Sequence, residues 1–311
     1  MSHVESSQDH AALADHIQAK RALFAGQLAH HGIDIHQIET ARCLVRDHPT
    51  HLTNRTIIIL RRGEPEQNRN WFAGIGTRGP VMIVGMEPWL EVKILLSDAA
   101  DALIAALKLR ERTGEICLTG GSGASFTAIG LAGLLAERLP GTTVKVVGFS
   151  VVARLYHRDS RGKDHYWPHM VHGYLSKPDT LAGMRRHATV RPFLEQAMAT
   201  PGADIRVKAF ATPLSQLDWE QAELIADLPC VTVEEILTDD YNHDMMAWTV
   251  MPRDAKLARE KMLAWMTVRN PKWPQRTLEA RVDRDVPVAL AWRAKYPSVH
   301  ALFDNMHKRE S

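Results

Sequence analysis

A short apolar run that breaks into a crowd of very small residues, then reopens as a long helical pattern, constrains this chain more than any other segment. Ile116-Cys117-Leu118-Thr119 is followed by Gly120-Gly121-Ser122-Gly123-Ala124-Ser125, and residues 126–139 carry apolar positions at helical spacing. The pattern predicts a strand, a sharp turn and a helix, with a serine at the apex of the turn. A hydroxyl held there beside helix N-terminal N–H groups has the setting a serine nucleophile needs. Small-residue turns also cradle phosphates in nucleotide-binding and methyltransferase folds, so the motif alone leaves both chemistries open.

The rest of the chain repeats the strand–helix rhythm. Apolar runs at 56–60, 81–86, 144–150, 205–211 and 231–237 read as strands, and helical patterns follow at 98–112, 126–139 and 219–228. Near-continuous apolar strands alternating with helices predict a mainly parallel sheet with helices on both faces. Residues 10–47 show helical spacing through Ala12, Leu13, Ile17, Leu23 and Leu28, so 1–54 is expected to be a helical N-terminal arm. The expected core is 55–150 together with 204–265, interrupted by a His-, Arg- and Pro-rich insertion at 151–203 that reads as a cap or lid. Residues 266–311 are expected to form a C-terminal helical extension.

Composition narrows the partners. A chain of 311 residues with 45% apolar and 24% charged residues can bury a large core, and a formal charge of +2 supplies no basic field for nucleic acid. The polar start lacks the apolar core of a signal peptide, and no apolar run reaches the length of a membrane span, so a cytoplasmic location is expected. Three scattered cysteines, Cys43, Cys117 and Cys230, form no disulfide or zinc framework. His169 and His172 in the insertion lack acidic or cysteine partners at a ligating spacing, and neither a metal nor a cofactor is expected. Nothing in the sequence addresses oligomeric state.

Downstream residues favour the nucleophile reading. A serine hydroxyl becomes reactive when an imidazole takes its proton, and a carboxylate fixes the ring's tautomer. Asp218 follows the run 205–211, and His243 follows the run 231–237, which gives the chain order serine, acid, histidine. Ser122 is favoured over Ser125, because Ser125 would place the β-branched Thr127 where a G-x-S-x-G turn needs a small residue; Ala124 meets that need in the Ser122 register. Asp218 also suits a helix N-cap, and Asp239, Asp240 and Asp244 are rival acids. The oxyanion would take the backbone N–H of Gly123 and a second donor from Arg61, Arg62 or Gly63 after the first strand, and Arg62 would also suit an anionic substrate group. In the insertion, Tyr156, His157, Tyr166 and Trp167 beside several arginines suit a polar, glycan or anionic substrate, although an exposed basic loop without a ligand has the same composition.

Over about residues 56–265 the chain resembles the α/β-hydrolase superfamily. The segments Val147-Gly148-Phe149-Ser150, Asp218-Trp219-Glu220-Gln221-Ala222-Glu223 and Tyr241-Asn242-His243-Asp244-Met245-Met246-Ala247-Trp248 look like those of hydrolase-like proteins encoded with bacterial surface-polysaccharide genes. The resemblance implies an α/β-hydrolase-like sheet with a lid after the strand 144–150. It also implies a serine esterase or acyltransferase acting on a small-molecule or glycan ester. The departures are Ala124 for the usual glycine and the lack of a glycine-rich oxyanion loop after the first strand. They leave open a non-catalytic binding or assembly protein on the same scaffold. A nucleotide- or S-adenosylmethionine-dependent transferase is disfavoured, because Gly148-Phe149-Ser150 ends the next strand without an acidic residue.

Overall fold

The structure is a computed structural model that describes residues 34–38, 43–47, 55–61, 81–85, 92–112, 114–154, 157–158, 160–162, 164–165, 189–238, 251–304 and 306. In chain order the described elements begin with strands β1 (Asp34–Ile38), β2 (Cys43–Asp47), β3 (Arg55–Arg61) and β4 (Val81–Gly85), then helix α1 (Val92–Ala106). Strand β5 (Glu115–Gly121), helix α2 (Gly123–Arg138) and strand β6 (Thr143–Phe149) form the centre, followed by the short β7 (His157–Arg158) and β8 (Asp164–His165). After α3 (Arg191–Ala199) come β9 (Asp204–Ala211), α4 (Gln216–Glu223), β10 (Val231–Glu235), α5 (Ala255–Arg269), α6 (Gln275–Lys295) and α7 (Val299–Phe303).

Among the described residues, eight strands make one sheet in the order β1-β2-β4-β3-β5-β6-β9-β10. Pairing is parallel from β4 through β10, while β2 is antiparallel to both β1 and β4. Parallel strands need crossovers, and α2 supplies the one between β5 and β6. Both sheet faces are covered, which is why β5 and β6 read as continuous apolar runs.

Alternate residues feed two separate cores. Ile116, Leu118, Val144, Val146 and Val207 face one side and pack with Leu103, Ile129, Leu135 and Leu194 of α1, α2 and α3. Cys117, Val147, Phe149 and Phe210 face the other and pack with Met262 and Met266 of α5, Val282 and Trp292 of α6, and Leu302 of α7. Phe149 and Phe210 stack at 5.2 Å, and Trp292 meets both edge-on at 6.0 and 5.8 Å. Helix α2 is buried along nearly its whole length because it lies between the sheet and two other helices. Gly133 makes the α3 contact possible, since a methyl there would stand 2.7 Å from the Phe193 carbonyl oxygen.

Charges fasten α7 under the amino ends of the strands. Arg55 donates to Glu115 at 2.8 Å, to Asp304 at 3.0 Å and to the His300 carbonyl at 3.1 Å. The buried Lys145 pairs with Glu115 and donates to the Phe303 carbonyl at 3.2 Å. Burial pushes the Glu115 carboxyl up, but hydrogen bonds and charge from Lys145 and Arg55 outweigh it and hold it below the usual range.

The described elements fall as follows in three of the expected segments. Residues 1–33 lie outside the described residues, but within the expected helical arm 1–54 the segments Asp34–Ile38 and Cys43–Asp47 are strands. Each is short and mixes apolar with polar residues, and the two gain their hydrogen bonds by pairing with each other and with β4. The expected lid 151–203 includes α3, which packs on α2 through Leu194 and Ala197 and is part of the first core. Within 266–311, α6 and α7 join α5 in covering the second face of the sheet.

Candidate active site

The turn between β5 and α2 is made by one residue in a strained conformation. Ser122 has φ 52° and ψ −131°, a region non-glycine residues rarely enter, at a cost of about 1–3 kcal/mol. Two contacts impose it. The Ser122 N–H donates to the Phe149 carbonyl at 2.9 Å, continuing the β5–β6 ladder, and the Ser125 N–H returns to the Ser122 carbonyl at 2.8 Å, opening the helix. The strand must therefore become a helix within a single residue. Gly120 permits the return, since a methyl on it would lie 2.5 Å from the Ala124 carbonyl oxygen.

Ser122 occupies the N-cap position of α2, yet its side chain makes no capping bond. A serine at this position ordinarily spends its oxygen on the N–H two or three residues on. Here the residue is half-buried and its hydroxyl does not cap the helix. Gly123 is the first residue of α2, so its N–H lacks an intrahelical acceptor and lies at the positive end of the helix dipole. Ala124 is buried without displacing the turn, because the close approach is made by its carbonyl against Gly120 rather than by its methyl. Arg61 closes β3, whose Leu60 is level with Gly120, so the Arg61 backbone runs beside the turn.

Ser125 is fully buried in the first turn of α2. Its hydroxyl donates to the Ser122 carbonyl at 2.6 Å and accepts the Val152 N–H at 2.9 Å. Both the donor and an acceptor site of this hydroxyl are engaged by backbone groups.

Asp218, which follows the strand run 205–211, sits in the first turn of α4, 2% exposed. It is not the N-cap. Ser215 holds that place, and its oxygen accepts the Asp218 N–H at 3.4 Å. A carboxylate in a helix's first turn is favoured by the dipole. His243, Asp239, Asp240, Asp244, Arg62, Tyr156, Tyr166 and Trp167 lie outside the described residues. Thr212 ties together the two chain exits that lead to Asp218 and to residue 239, its hydroxyl donating to the Thr238 carbonyl at 2.7 Å.

The motif Asp218-Trp219-Glu220-Gln221 has a further role that sequence reasoning missed. The buried Gln221 side-chain oxygen accepts the N–H groups of Ala153 and Arg154, each at 2.8 Å, and its amide donates to the Arg154 carbonyl at 2.8 Å. One side chain thus replaces the strand pairing that this backbone loses after β6. Glu220 accepts from His157 at 2.8 Å and from the Ser160 N–H at 3.2 Å. His157, expected to meet substrate, is engaged by α4 and pairs across the β7–β8 register with His165. Helix α4 therefore carries Asp218 and also anchors the root of the insertion.

Two outcomes follow. Gln221→Leu leaves two buried N–H groups without an acceptor and should cost about 2–4 kcal/mol, read as a lower urea midpoint. The bond from His157, with those from Ser160, lowers the Glu220 carboxyl to about 2. Its ordinary value of 4.5 holds in the unfolded chain, so its stabilising share is complete above that pH and is lost as pH falls toward about 2. The difference in urea midpoint between wild type and Glu220→Gln should accordingly shrink across that window, and a pH-independent difference would contradict it.

Among the described residues there is no group of three or more His, Cys, Asp or Glu placed to hold a metal, and no helix long and apolar enough to cross a membrane. The mainly parallel sheet, the helices on both faces and the one-residue turn after the central strand together define an α/β-hydrolase-like fold. No protein-family model and no curated protein matches the sequence. Similar solved structures include a novel thermostable esterase from Pseudomonas putida, at 13% identity and a TM-score of 0.44, with 94% of this chain and 90% of that one covered. Carboxyl esterase 2 from the mycorrhizal fungus Tuber melanosporum aligns at 10% identity and a TM-score of 0.46, over 84% of this chain and 86% of that one. A lipase-esterase related protein from Clostridium acetobutylicum aligns at 14% identity and 0.39, over 64% and 94%.

Proposed function

We propose that this protein is a serine hydrolase of the esterase type, with Ser122 as nucleophile, His243 as general base and Asp218 as the acid that orients it. The observation that carries the reading is the strained Ser122, whose hydroxyl does not cap the helix it begins. Strain of this kind persists only where surrounding structure enforces it, and it concentrates at functional sites.

In the proposed reaction, His243 takes the Ser122 proton as the oxygen attacks the ester carbonyl. The tetrahedral oxyanion is stabilised by the Gly123 N–H and by a second donor from the Arg61–Arg62 backbone. Collapse expels the alcohol, which takes its proton from His243, and leaves an acyl group on Ser122. Water, or an acceptor hydroxyl in the case of acyl transfer, then attacks the acyl-enzyme by the same steps reversed in role. The resemblance to proteins of surface-polysaccharide gene clusters supports an acylated glycan as the substrate class.

A fluorophosphonate probe tests the reading. One equivalent should attach to the peptide containing Ser122, with turnover of a short-chain p-nitrophenyl ester. Absence of both in folded protein would favour a non-catalytic scaffold, for which Ala124 gives little support, since its methyl is accommodated.

A further inference from the structure

We infer that Ser125 is a positioning residue that aims the oxyanion-stabilising N–H of Gly123, an inference that rests on the reading of Ser122 as nucleophile. A single peptide bond joins Ser122 to Gly123. A trans peptide is planar, so the Ser122 carbonyl and the Gly123 N–H point in opposite directions from one rigid plate. Among the described residues the chain has no cis peptide bond. Whatever fixes the carbonyl therefore fixes the direction of the N–H.

Ser125 grips that carbonyl twice. Its backbone N–H reaches the oxygen at 2.8 Å, and its hydroxyl reaches the same oxygen at 2.6 Å. The backbone bond belongs to helix initiation and would exist with any residue at this position. The hydroxyl bond is specific to serine or threonine. It is also charged with a second task, because the same oxygen accepts the Val152 N–H at 2.9 Å. That acceptance leaves the hydroxyl proton directed at Ser122 rather than elsewhere.

The neighbouring strand end makes the tie specific. Gly121 and Phe149 are level in the β5–β6 register, so Ser122 lies beside Ser150, which also has a positive φ of 44°. Two strained serines thus stand side by side, and the Ser125 hydroxyl bridges the turn of the first to the segment that follows the second. Gly148 lets the Val151 side chain close over the strand end, since a methyl there would stand 2.8 Å from Val151, while Ser125 would be at an ordinary contact of 3.5 Å. From Ala153 onward the same segment is held by Gln221 of the helix that carries Asp218. Ser125 therefore couples the nucleophile turn to the acid-bearing helix through two residues of backbone.

The test compares Ser125→Ala with Thr143→Ala, which removes a hydroxyl bonded to Asp204 at the opposite end of the sheet. Loss of an aimed oxyanion donor lowers the chemical step by roughly tenfold to a hundredfold. Ser125→Ala should label with fluorophosphonate to full stoichiometry at a rate reduced by that factor. Its kcat for a p-nitrophenyl ester should fall in parallel while KM changes less than about twofold. Ser125→Thr, which keeps the hydroxyl, should restore most of the rate. Thr143→Ala should lower the melting temperature without altering the labelling rate.

A wild-type labelling rate in Ser125→Ala, with only the melting temperature lowered, overturns the inference and leaves Ser122 as nucleophile untouched. Failure of the wild-type protein to label at Ser122 overturns the nucleophile reading, and this inference with it. Should the alanine variant not fold, Ser125→Cys retains the volume with a weaker donor. Slow labelling of it supports the positioning role and a wild-type rate overturns it.

Discussion

Ser122→Ala is expected to abolish fluorophosphonate labelling and to lower ester turnover by about four to six orders of magnitude, with little change in melting temperature. The size of the loss reflects the absence of a second route: without the serine oxygen no acyl-enzyme forms, and only binding and oxyanion stabilisation remain. Ser122→Gly should be equally inactive but more stable. At φ 52° and ψ −131° the backbone is strained for any residue with a β-carbon, and glycine removes about 1–3 kcal/mol of that strain. Its greater freedom in the unfolded chain offsets about 0.5–1 kcal/mol. The net gain of about 1 kcal/mol corresponds to a rise of roughly 2 °C, readable by calorimetry. A glycine variant less stable than the alanine variant would show that the conformation at 122 is not a source of strain.

Gly120→Ala is expected to be among the most damaging single substitutions in the chain. The added methyl would stand 2.5 Å from the Ala124 carbonyl oxygen, 2.7 Å from its carbon and 3.1 Å from the Ser125 nitrogen. All three are backbone atoms of the helix start, so no side chain can swing aside. The turn itself must open, at a cost of about 3 kcal/mol or more, and the opening displaces Ser122. Lower soluble yield, a lower melting temperature and loss of labelling in the folded fraction should appear together. Gly141→Ala provides the contrast. It has open space around it but a φ of +87°, so it should lose only about 1–2 kcal/mol and retain labelling.

Much of the central architecture is legible in the residue order. Strands β5, β6 and β9 are apolar throughout because both faces of a parallel sheet are buried, and their limits fall within a residue or two of the expected ones. The turn at 120–125 is legible because only tiny residues allow a strand and a helix to meet so abruptly. The first two strands are not. Residues 34–38 and 43–47 mix Ile, Leu and Val with His, Gln, Arg and Asp, and they become strands through partners that include β4, some forty residues on.

Polar residues show the same division more sharply. Ser125, Thr212 and Gln221 have the composition of surface positions, and nothing local distinguishes them. Their partners are remote: Gln221 serves N–H groups 68 and 67 residues earlier, and Thr212 a carbonyl 26 residues later. Asp218 is visible as an acid after a strand, but its place within α4 depends on Ser215 taking the cap. The central elements and the serine-bearing turn are written in the residue order, because periodicity and residue size act over a few neighbours. The folded chain alone shows that β4 lies between β2 and β3, that α5, α6 and α7 together cover a whole face, and that Ser125 grips the Ser122 carbonyl. Those outcomes depend on which distant groups satisfy one another once water is excluded, and a single stretch of chain carries no record of its distant partner.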